Sequence, residues 1–214
     1  MDTAKSTLFF CYTGVEVGPL NREEKKRITR QKIFDTAIRL ISENGYAATT
    51  VEIIAKEAGV AKGTFFNYFK SKESVLDEYE RVSLFTEAEG AMQLDGPISP
   101  AIIMALINVL QKMNYTRSLR RATVMATLAG EDSLAEHRQN MKNLAEIAIP
   151  FFVIGQERGE FSKDYPPELL ADLLIQTYIG ILTHWCMGGG DDDLIKQAAL
   201  SLELFLASIS KNPH

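Results

Sequence analysis

A tight glycine turn in the first third of the chain, at Ala58-Gly59-Val60, constrains the fold more than any other feature. Upstream of it, Thr49-Thr50-Val51-Glu52 matches a T-x-x-E capping box, in which a threonine and a glutamate satisfy the free amides at a helix start. A short helix over about 50–58 is therefore predicted. Gly59 ends this helix, because glycine enters the left-handed backbone region without a steric cost.

A second short helix is predicted directly after the turn, over about 61–68. Phe65 and Phe69 lie four residues apart, so both side chains share one face and should anchor this helix in a core. Two short helices joined by a tight turn predict a helix-turn-helix motif, here at about 50–69. In such a motif the second helix enters the major groove of DNA.

Longer helices are predicted on both sides of the motif. Before it, apolar residues at three- and four-residue steps indicate a helix over 25–44, which Gly45 stops. After it, Ser71 caps a helix that continues past Glu89. Together these segments predict an N-terminal three-helix head over 21–70.

The chain beyond Gly96-Pro97 shows only helical periodicity, so the fold class is all-α, with a larger helical bundle over 71–214 behind the head. Its predicted helices are 98–113, 117–129, 132–158, 167–187 and 192–210. Pro150 should kink the third of these helices or split it in two.

The last two predicted helices are apolar on more than one face. In 167–187, Leu173 and Ile179 belong to neighbouring stripes, and in 192–210, Leu204 widens the main stripe. This is more apolar surface than the core of one chain needs, so it requires a partner. A second copy of the same helix pair gives a homodimer with a four-helix interface.

Charge is divided unequally along the chain. The formal net charge is −5, but residues 21–72 hold eleven Lys and Arg against six Asp and Glu, whereas residues 73–214 hold eleven against twenty. A basic head on an acidic body indicates a polyanionic partner for the head. A solvated basic helix would give a similar count, so charge alone leaves both interpretations open.

Several classes of protein find no support in the residues. Cys11 and Cys186 are too few for a disulfide framework, and the three histidines have no metal-ligand spacing, so neither a metal nor a cofactor is predicted. There is no nucleophile motif and no phosphate-binding glycine loop, so the chain is not expected to be an enzyme. Residues 1–20 lack the organisation of a signal peptide and are predicted to be a poorly ordered leader.

The longest strongly apolar run, Ile147–Gly155, is far shorter than the roughly 20 residues that cross a bilayer. No membrane partner and a cytoplasmic location are therefore predicted.

Polar and basic residues at the second helix of the motif are the candidate DNA contacts. Lys62, Gly63 and Thr64 open this helix, where base edges come within reach, and Gly63 leaves its backbone uncovered. The polar ends of Asn67 and Tyr68 can reach phosphate oxygens, and Lys70 and Lys72 extend the same rim. An ordinary solvated rim of a helical protein is the alternative.

The head resembles the DNA-binding domain of the TetR (tetracycline repressor) family over about residues 26–76. The resemblance rests on residues in matching order and spacing: Ile33-Phe34-Asp35-Thr36-Ala37, Gly45-Tyr46, Thr49-Thr50-Val51, Ile54-Ala55, Ala58-Gly59-Val60, Lys62-Gly63-Thr64, Tyr68-Phe69 and Lys70-Ser71-Lys72-Glu73. It implies a transcriptional regulator, most often a repressor, that binds a partly palindromic operator as a dimer and is released by a small-molecule effector. It also implies that Thr50 contacts phosphate.

The sequence departs from the family pattern in and around the second helix of the motif. Ala61 replaces a common serine, Phe66 and Asn67 replace two common tyrosines, and Tyr68 replaces a common histidine. These changes affect base preference and phosphate contacts and not the fold.

Large, soft or polar-tipped residues on the body helices are the candidates for an effector pocket. They are Met104, Tyr115, Met125, Phe151, Phe152, Tyr178, His184 and Trp185. Plain core packing is the alternative, and for each single residue it is the favoured interpretation. Similarly, Asp191-Asp192-Asp193 is interpreted as a helix cap and not as a cation site, and Cys186 as a buried inert thiol.

An alternative function remains open, namely a helical small-molecule binding protein with a vestigial DNA-binding head. Ligand binding without duplex binding would distinguish it from a regulator. The sequence does not identify the operator or the effector.

Overall fold

The structure is a computed structural model that describes residues 21–113, 115–189 and 193–211. Across those ranges it forms nine helices and no strand, with one isolated bridge between Phe161 and Ser210. The helices are α1 (Arg22–Asn44), α2 (Val51–Glu57), α3 (Lys62–Phe66), α4 (Lys72–Met92), α5 (Ile98–Met113), α6 (Arg117–Thr127), α7 (Glu131–Glu157), α8 (Pro167–Met187) and α9 (Leu194–Ser208). The all-α prediction is confirmed; the predicted leader lies outside the described residues.

The head forms around one apolar cluster supplied by α1, α2, α3 and the start of α4. Its buried members are Ile33, Ala37, Leu40, Ile54, Ala55, Ala58, Phe65, Phe69 and Val75. Phe65 is fully buried, and its ring centroid lies 5.9 Å from that of Phe69. Both phenylalanines are therefore core residues, as predicted.

The turn around Gly59 has the predicted geometry. Gly59 has a φ of 64°, and the amide of Val60 donates to the carbonyl of Ala55 at 2.9 Å. Gly45, which ends α1, has a φ of 83°. The second helix of the motif is shorter than predicted, because α3 covers only Lys62–Phe66.

The predicted Thr49–Glu52 capping box is wrong by one residue. Thr50 is the N-cap of α2, and its hydroxyl accepts from the amide of Ile53 at 3.3 Å. Thr49 is buried, and its hydroxyl lies 3.1 Å from the carbonyl of Leu40 and 2.9 Å from that of Gly45. The hydroxyl of Thr49 therefore binds the end of α1 and is not available to cap α2.

Helix α4 belongs to both the head and the body. Ser71 caps it, as predicted, with its hydroxyl 3.2 Å from the amide of Ser74. On the head side, Arg30 of α1 forms a bidentate ion pair with Glu78. Farther along, Leu84, Ala88 and Ala91 enter the body core. A movement of α4 would therefore reach both parts of the molecule.

Helix α7 remains one helix with Pro150 inside it, so the predicted split is not observed. Near its end, a Cβ added to Gly155 would lie 2.4 Å from the ring of Phe161. Gly155 thus allows the chain after α7 to pack back on the helix.

Helix α8 is long and apolar enough to cross a membrane by length and composition, a test that the core helix of a globular protein also passes. In the structure, α8 packs against α6, α7 and α9. Several of its residues are buried, among them Leu174, Tyr178 and Leu182. Its other side keeps Leu169 and Leu173 exposed, and α9 similarly exposes Leu200 and Leu204.

Candidate DNA interface and effector site

The candidate DNA-contacting residues lie mostly on the surface of the head. Thr50, Lys62, Gly63, Asn67 and Lys70 are exposed, whereas Thr64, Tyr68 and Lys72 are half-buried. An ion pair between Lys62 and Glu52 connects the start of α3 to the first turn of α2. The structure thus brings the candidate residues at the starts of α2 and α3 close together.

Lys62 has an acidic partner within the head. Its ammonium group forms a hydrogen-bonded ion pair with the Glu52 carboxylate and lies 6.0 Å from the centroid of the Phe66 ring. The hydrogen bond from Lys62 lowers the pKa of Glu52 below its usual value. Because both side chains are exposed, the pair stabilises little and can exchange for a DNA phosphate.

Lys72, predicted to contact DNA, is held by groups within the head. Its ammonium group donates to the carbonyls of Tyr46 at 2.8 Å and Thr49 at 3.0 Å, and it lies 3.6 Å from the centroid of the Tyr46 ring. Burial lowers the pKa of Lys72. This lysine holds the loop between α1 and α2 instead of facing solvent.

Lys70 reaches out of the head to the body. Its ammonium group forms an ion pair with Glu136 of α7, and the hydrogen bond that Lys70 donates to Glu136 raises the pKa of Lys70. Sequence reasoning could not foresee this contact, because the two residues are far apart in the chain. A phosphate that binds Lys70 would compete with Glu136.

Two further head residues, which were not among the candidates, lie on or near α3, the second helix of the motif. Phe66 is 47% exposed, an unusual position for a phenylalanine on so short a helix. Lys26 of α1 lies near Tyr68, and its hydrogen bond to Glu23 raises its pKa. The excess of lysine and arginine in α1 was the only sequence signal for Lys26.

The eight candidate pocket residues divide into two groups. Phe151, Phe152, Tyr178 and Trp185 are buried, and Tyr115 is half-buried. In contrast, Met104, Met125 and His184 are exposed, so they do not line an internal cavity of this chain. Their helices are apolar on more than one side, and these three residues lie on the outer side.

Tyr115 and Tyr178 surround a buried glutamate, Glu80. Glu80 is only 4% exposed, and the Tyr178 hydroxyl donates to its Oε1 at 3.1 Å. Burial, followed by the charge of Glu80, raises the pKa of both tyrosines well above the usual value. The two hydroxyls therefore stay protonated and act as donors.

Further polar groups from α4, α6 and α7 complete this cluster. Arg120 is buried, and its charge acts on Asp77, on His137 and on both tyrosines. Burial raises the pKa of Asp77 to about 7, and the nearby charge of Glu80 adds to the effect. Burial lowers the pKa of His137, with a smaller contribution from Arg120. Asn140, one turn along α7 from His137, is also buried.

A small apolar cavity lies between α4, α5, α7 and α8. Its lining includes Leu84 and Ala88 of α4, Ala148 and Phe151 of α7, and Leu174 of α8. The body thus contains both a polar cluster and a small apolar cavity.

The remaining predicted sites concern metals and thiols. Among the described residues, no group of three or more histidine, cysteine, aspartate or glutamate side chains could hold a metal ion. Asp193 caps α9, accepting from the amides of Ile195 at 3.0 Å and Lys196 at 3.2 Å, while Asp191 and Asp192 lie outside the described residues. Cys186 is buried, with its sulfur 3.2 Å from the carbonyl of Thr183.

Comparisons with known proteins agree with this architecture. Residues 33–79 match the family described as bacterial regulatory proteins, tetR family. The fatty acid metabolism regulator protein of Bacillus subtilis (strain 168) is 29% identical over 195 residues, which cover 87% of this chain and 98% of that protein.

Two solved structures share the fold. Thermus thermophilus FadR, a TetR family transcriptional repressor in complex with lauroyl-CoA, has a TM-score of 0.68 at 23% identity, covering 83% of this chain and 93% of its own. FadR from Bacillus subtilis in complex with stearoyl-CoA has a TM-score of 0.60 at 23% identity, covering 84% and 98%.

Proposed function

We infer that this chain, whose head belongs to the TetR family of bacterial regulatory proteins, is a ligand-responsive transcriptional repressor. It binds a partly palindromic DNA operator as a homodimer, and a small-molecule effector bound in the body releases it. The site of action is the cytoplasm, and catalytic turnover is not part of this function. The head corresponds to about residues 21–70 and the ligand-binding and dimerisation domain to the remainder.

The observation that best supports the DNA-binding role is the solvent-exposed face of α3. Phe65 and Phe69 fix α3 in the core, while Lys62, Gly63 and Asn67 remain open to solvent. A helix held from behind in this way can present its other side to a major groove. Thr64 and Tyr68 stand beside this face, and Thr50 offers its hydroxyl at the start of α2.

The homodimer is proposed on the basis of exposed leucines on α8 and α9. Leu204 is 64% exposed, and Leu200 lies one turn before it on the same side of α9. Burying these leucines with Leu169 and Leu173 of α8 against a second copy would remove them from water. Leu204→Glu should therefore give monomers in sedimentation velocity. Leu94→Glu, at a leucine that is 56% exposed outside these helices, is the matched control and should remain dimeric.

The effector is proposed to be a long-chain acyl compound. The two solved structures are complexes with lauroyl-CoA and stearoyl-CoA, and the body of this chain has a polar cluster and a small apolar cavity on the shared helices α4, α7 and α8. Release follows if the effector and DNA favour different arrangements of head and body. The Lys70–Glu136 pair supports this coupling, because it connects the DNA face to α7.

Selection of duplexes from a random pool, read by sequencing, tests the DNA-binding role. The expected result is an inverted repeat that the wild-type protein enriches and that Lys62→Ala loses. Lys163→Ala, at an exposed lysine of the body, is the control and should enrich the same repeat. If no sequence is enriched at low salt, the head does not read DNA unaided and a ligand-binding protein becomes the better interpretation.

The coupling has its own test. Lauroyl-CoA should bind more weakly when the selected operator duplex is present, and the duplex should bind more weakly by the same factor when lauroyl-CoA is present. Identical lauroyl-CoA isotherms with and without the duplex would exclude effector-driven release by this ligand.

A further inference from the structure

We propose that Arg120 and Asn140 bind the carbonyl oxygen of the effector, whose apolar chain occupies the space between α4, α7 and α8. This inference rests on the proposed function and adds the residues and the ligand group that the site recognises. It concerns a neutral carbonyl, as in an amide, ester or thioester, attached to an apolar chain.

Two unsatisfied buried donors are the primary observation. Arg120 is 7% exposed and Asn140 is 9% exposed, yet Nε of Arg120 and Nδ2 of Asn140 have no hydrogen-bond partner among the described residues. Buried donors without a partner are rare in folded proteins, because each one loses its hydration without compensation. Both donors therefore suit an acceptor that arrives with a ligand.

The acceptors already present in the cluster do not fill this role. Glu80 accepts a hydrogen bond from the Tyr178 hydroxyl, and Asp77 is near enough for its charge to interact with Arg120 without forming an ion pair. Arg120 is thus surrounded by acidic groups, with Glu136 acting on Asp77 from α7. An anionic ligand group would be repelled by these carboxylates, whereas a neutral carbonyl offers an acceptor without adding charge.

The apolar cavity lies in the direction that an attached chain needs. Leu84 follows Glu80 by one helical turn on α4, and Leu174 precedes Tyr178 by one turn on α8. On α7, Ala148 and Phe151 lie two to three turns beyond Asn140. With about 5.4 Å per turn, the lining residues of the cavity lie one to three turns from the polar cluster along these helices.

The decisive experiment compares two ligands that differ at the carbonyl. Lauroyl-CoA contains a thioester carbonyl, whereas S-dodecyl-CoA has a methylene in its place. Asn140→Leu should weaken binding of lauroyl-CoA about tenfold in calorimetry, the effect of one lost hydrogen bond, and leave S-dodecyl-CoA unchanged. Asn143→Leu is the matched control, because Asn143 faces outward and bonds Gln139, and it should change neither affinity.

A second variant tests the arginine without removing its charge. Arg120→Lys keeps a cation beside Asp77 and Glu80 but removes the Nε donor. It should weaken the binding of lauroyl-CoA and leave the binding of S-dodecyl-CoA unchanged. In the ligand-free protein, Asn140→Leu should leave the Tm unchanged or raise it, because it removes a buried unsatisfied donor. A purely structural asparagine would instead lower the Tm on substitution.

Each other outcome overturns the inference. Equal weakening of both ligands would mean that Arg120 and Asn140 shape the pocket without binding the carbonyl. Unchanged binding of both ligands would mean that the two donors bind only water. If the wild-type protein enriches an operator but does not bind lauroyl-CoA, the carbonyl site is wrong while the DNA-binding function stands.

Discussion

The head and the body of this protein differ in how completely their buried polar groups find partners. In the head, the buried hydroxyl of Thr49 bonds two carbonyls, and the half-buried ammonium of Lys72 bonds two more. In the body, Arg120 and Asn140 keep unsatisfied donors inside the core. The head is therefore complete by itself and functions at its surface, whereas the body keeps a polar interior that favours a ligand.

The largest difference between head and body should appear when each loses a buried aromatic ring. Phe65→Ala and Phe152→Ala each empty a fully buried site and should cost about 3–5 kcal/mol. The small head has only one cluster, so Phe65→Ala should abolish operator binding and preserve lauroyl-CoA binding by the body. Phe152→Ala should lose both activities. Loss of ligand binding in Phe65→Ala would show that the body depends on the head.

The polar interior of the body predicts a stability that depends on pH. The folded protein raises the pKa of Asp77 to about 7 from 3.8, so it retains a proton that the unfolded chain releases. The contribution of Asp77 to the free energy of unfolding is therefore most favourable below about pH 4, and it decreases as the pH rises to about 7. Asp77 faces Glu80 and Glu73 of α4, Arg120 of α6 and Glu136 of α7.

Asp77→Asn removes this dependence. It should raise the free energy of unfolding by up to about 4 kcal/mol at pH 8 and have little effect at pH 4, as measured by urea denaturation. Asp35→Asn, on the exposed side of α1, is the control and should show no such difference. Equal effects of Asp77→Asn at both pH values would contradict the raised pKa.

A smaller effect is expected at the turn of the head. Gly59 has a φ of 64°, a backbone conformation that costs a residue with a side chain about 1–2 kcal/mol. Gly59→Ala should lower the stability of the head by this amount and weaken binding to all duplex sequences by a similar factor. Gly63→Ala is the matched control, since a Cβ there meets no atom within 4 Å and Gly63 does not have a positive φ. Equal Tm values for the two variants would show that the turn is not strained.

The smallest effects distinguish two lysines at the edge of the head. Lys70→Met should lower the salt dependence of operator binding by about one unit and leave stability nearly unchanged, because Lys70 is exposed. Lys72→Met should leave the salt dependence unchanged and cost about 1 kcal/mol of stability, because two carbonyls lose a donor. The reverse pattern would indicate that Lys72, and not Lys70, contacts a DNA phosphate.

Sequence reasoning succeeded wherever a residue acts on its chain neighbours. Gly45 and Gly59 end helices through their own backbone freedom, and Ser71 caps the helix that it precedes. It missed the partners of Thr49, which lie at the end of α1, and the partners of Lys72, which lie in the preceding loop. In both cases a contact between elements overrode the local pattern.

The candidate effector site shows the same limit in the body. Tyr178 and Tyr115 were selected for their polar tips, but Met104, Met125 and His184 are exposed. Periodicity identifies an apolar face and not the element that covers it. Asp77, Glu80, Arg120 and Asn140 carried no sequence signal, because charged and amide residues on helices are ordinarily exposed.

The sequence by itself determined the all-α class, the helix-turn-helix head and the division of charge between head and body, because these follow from local periodicity, caps and counts. Only the tertiary structure decided which polar groups become buried and which of them find partners. It buried Glu80, Arg120 and Asn140 on three different helices, and it joined Lys70 to Glu136. Such contacts depend on how helices pack across long chain separations, which no local pattern encodes.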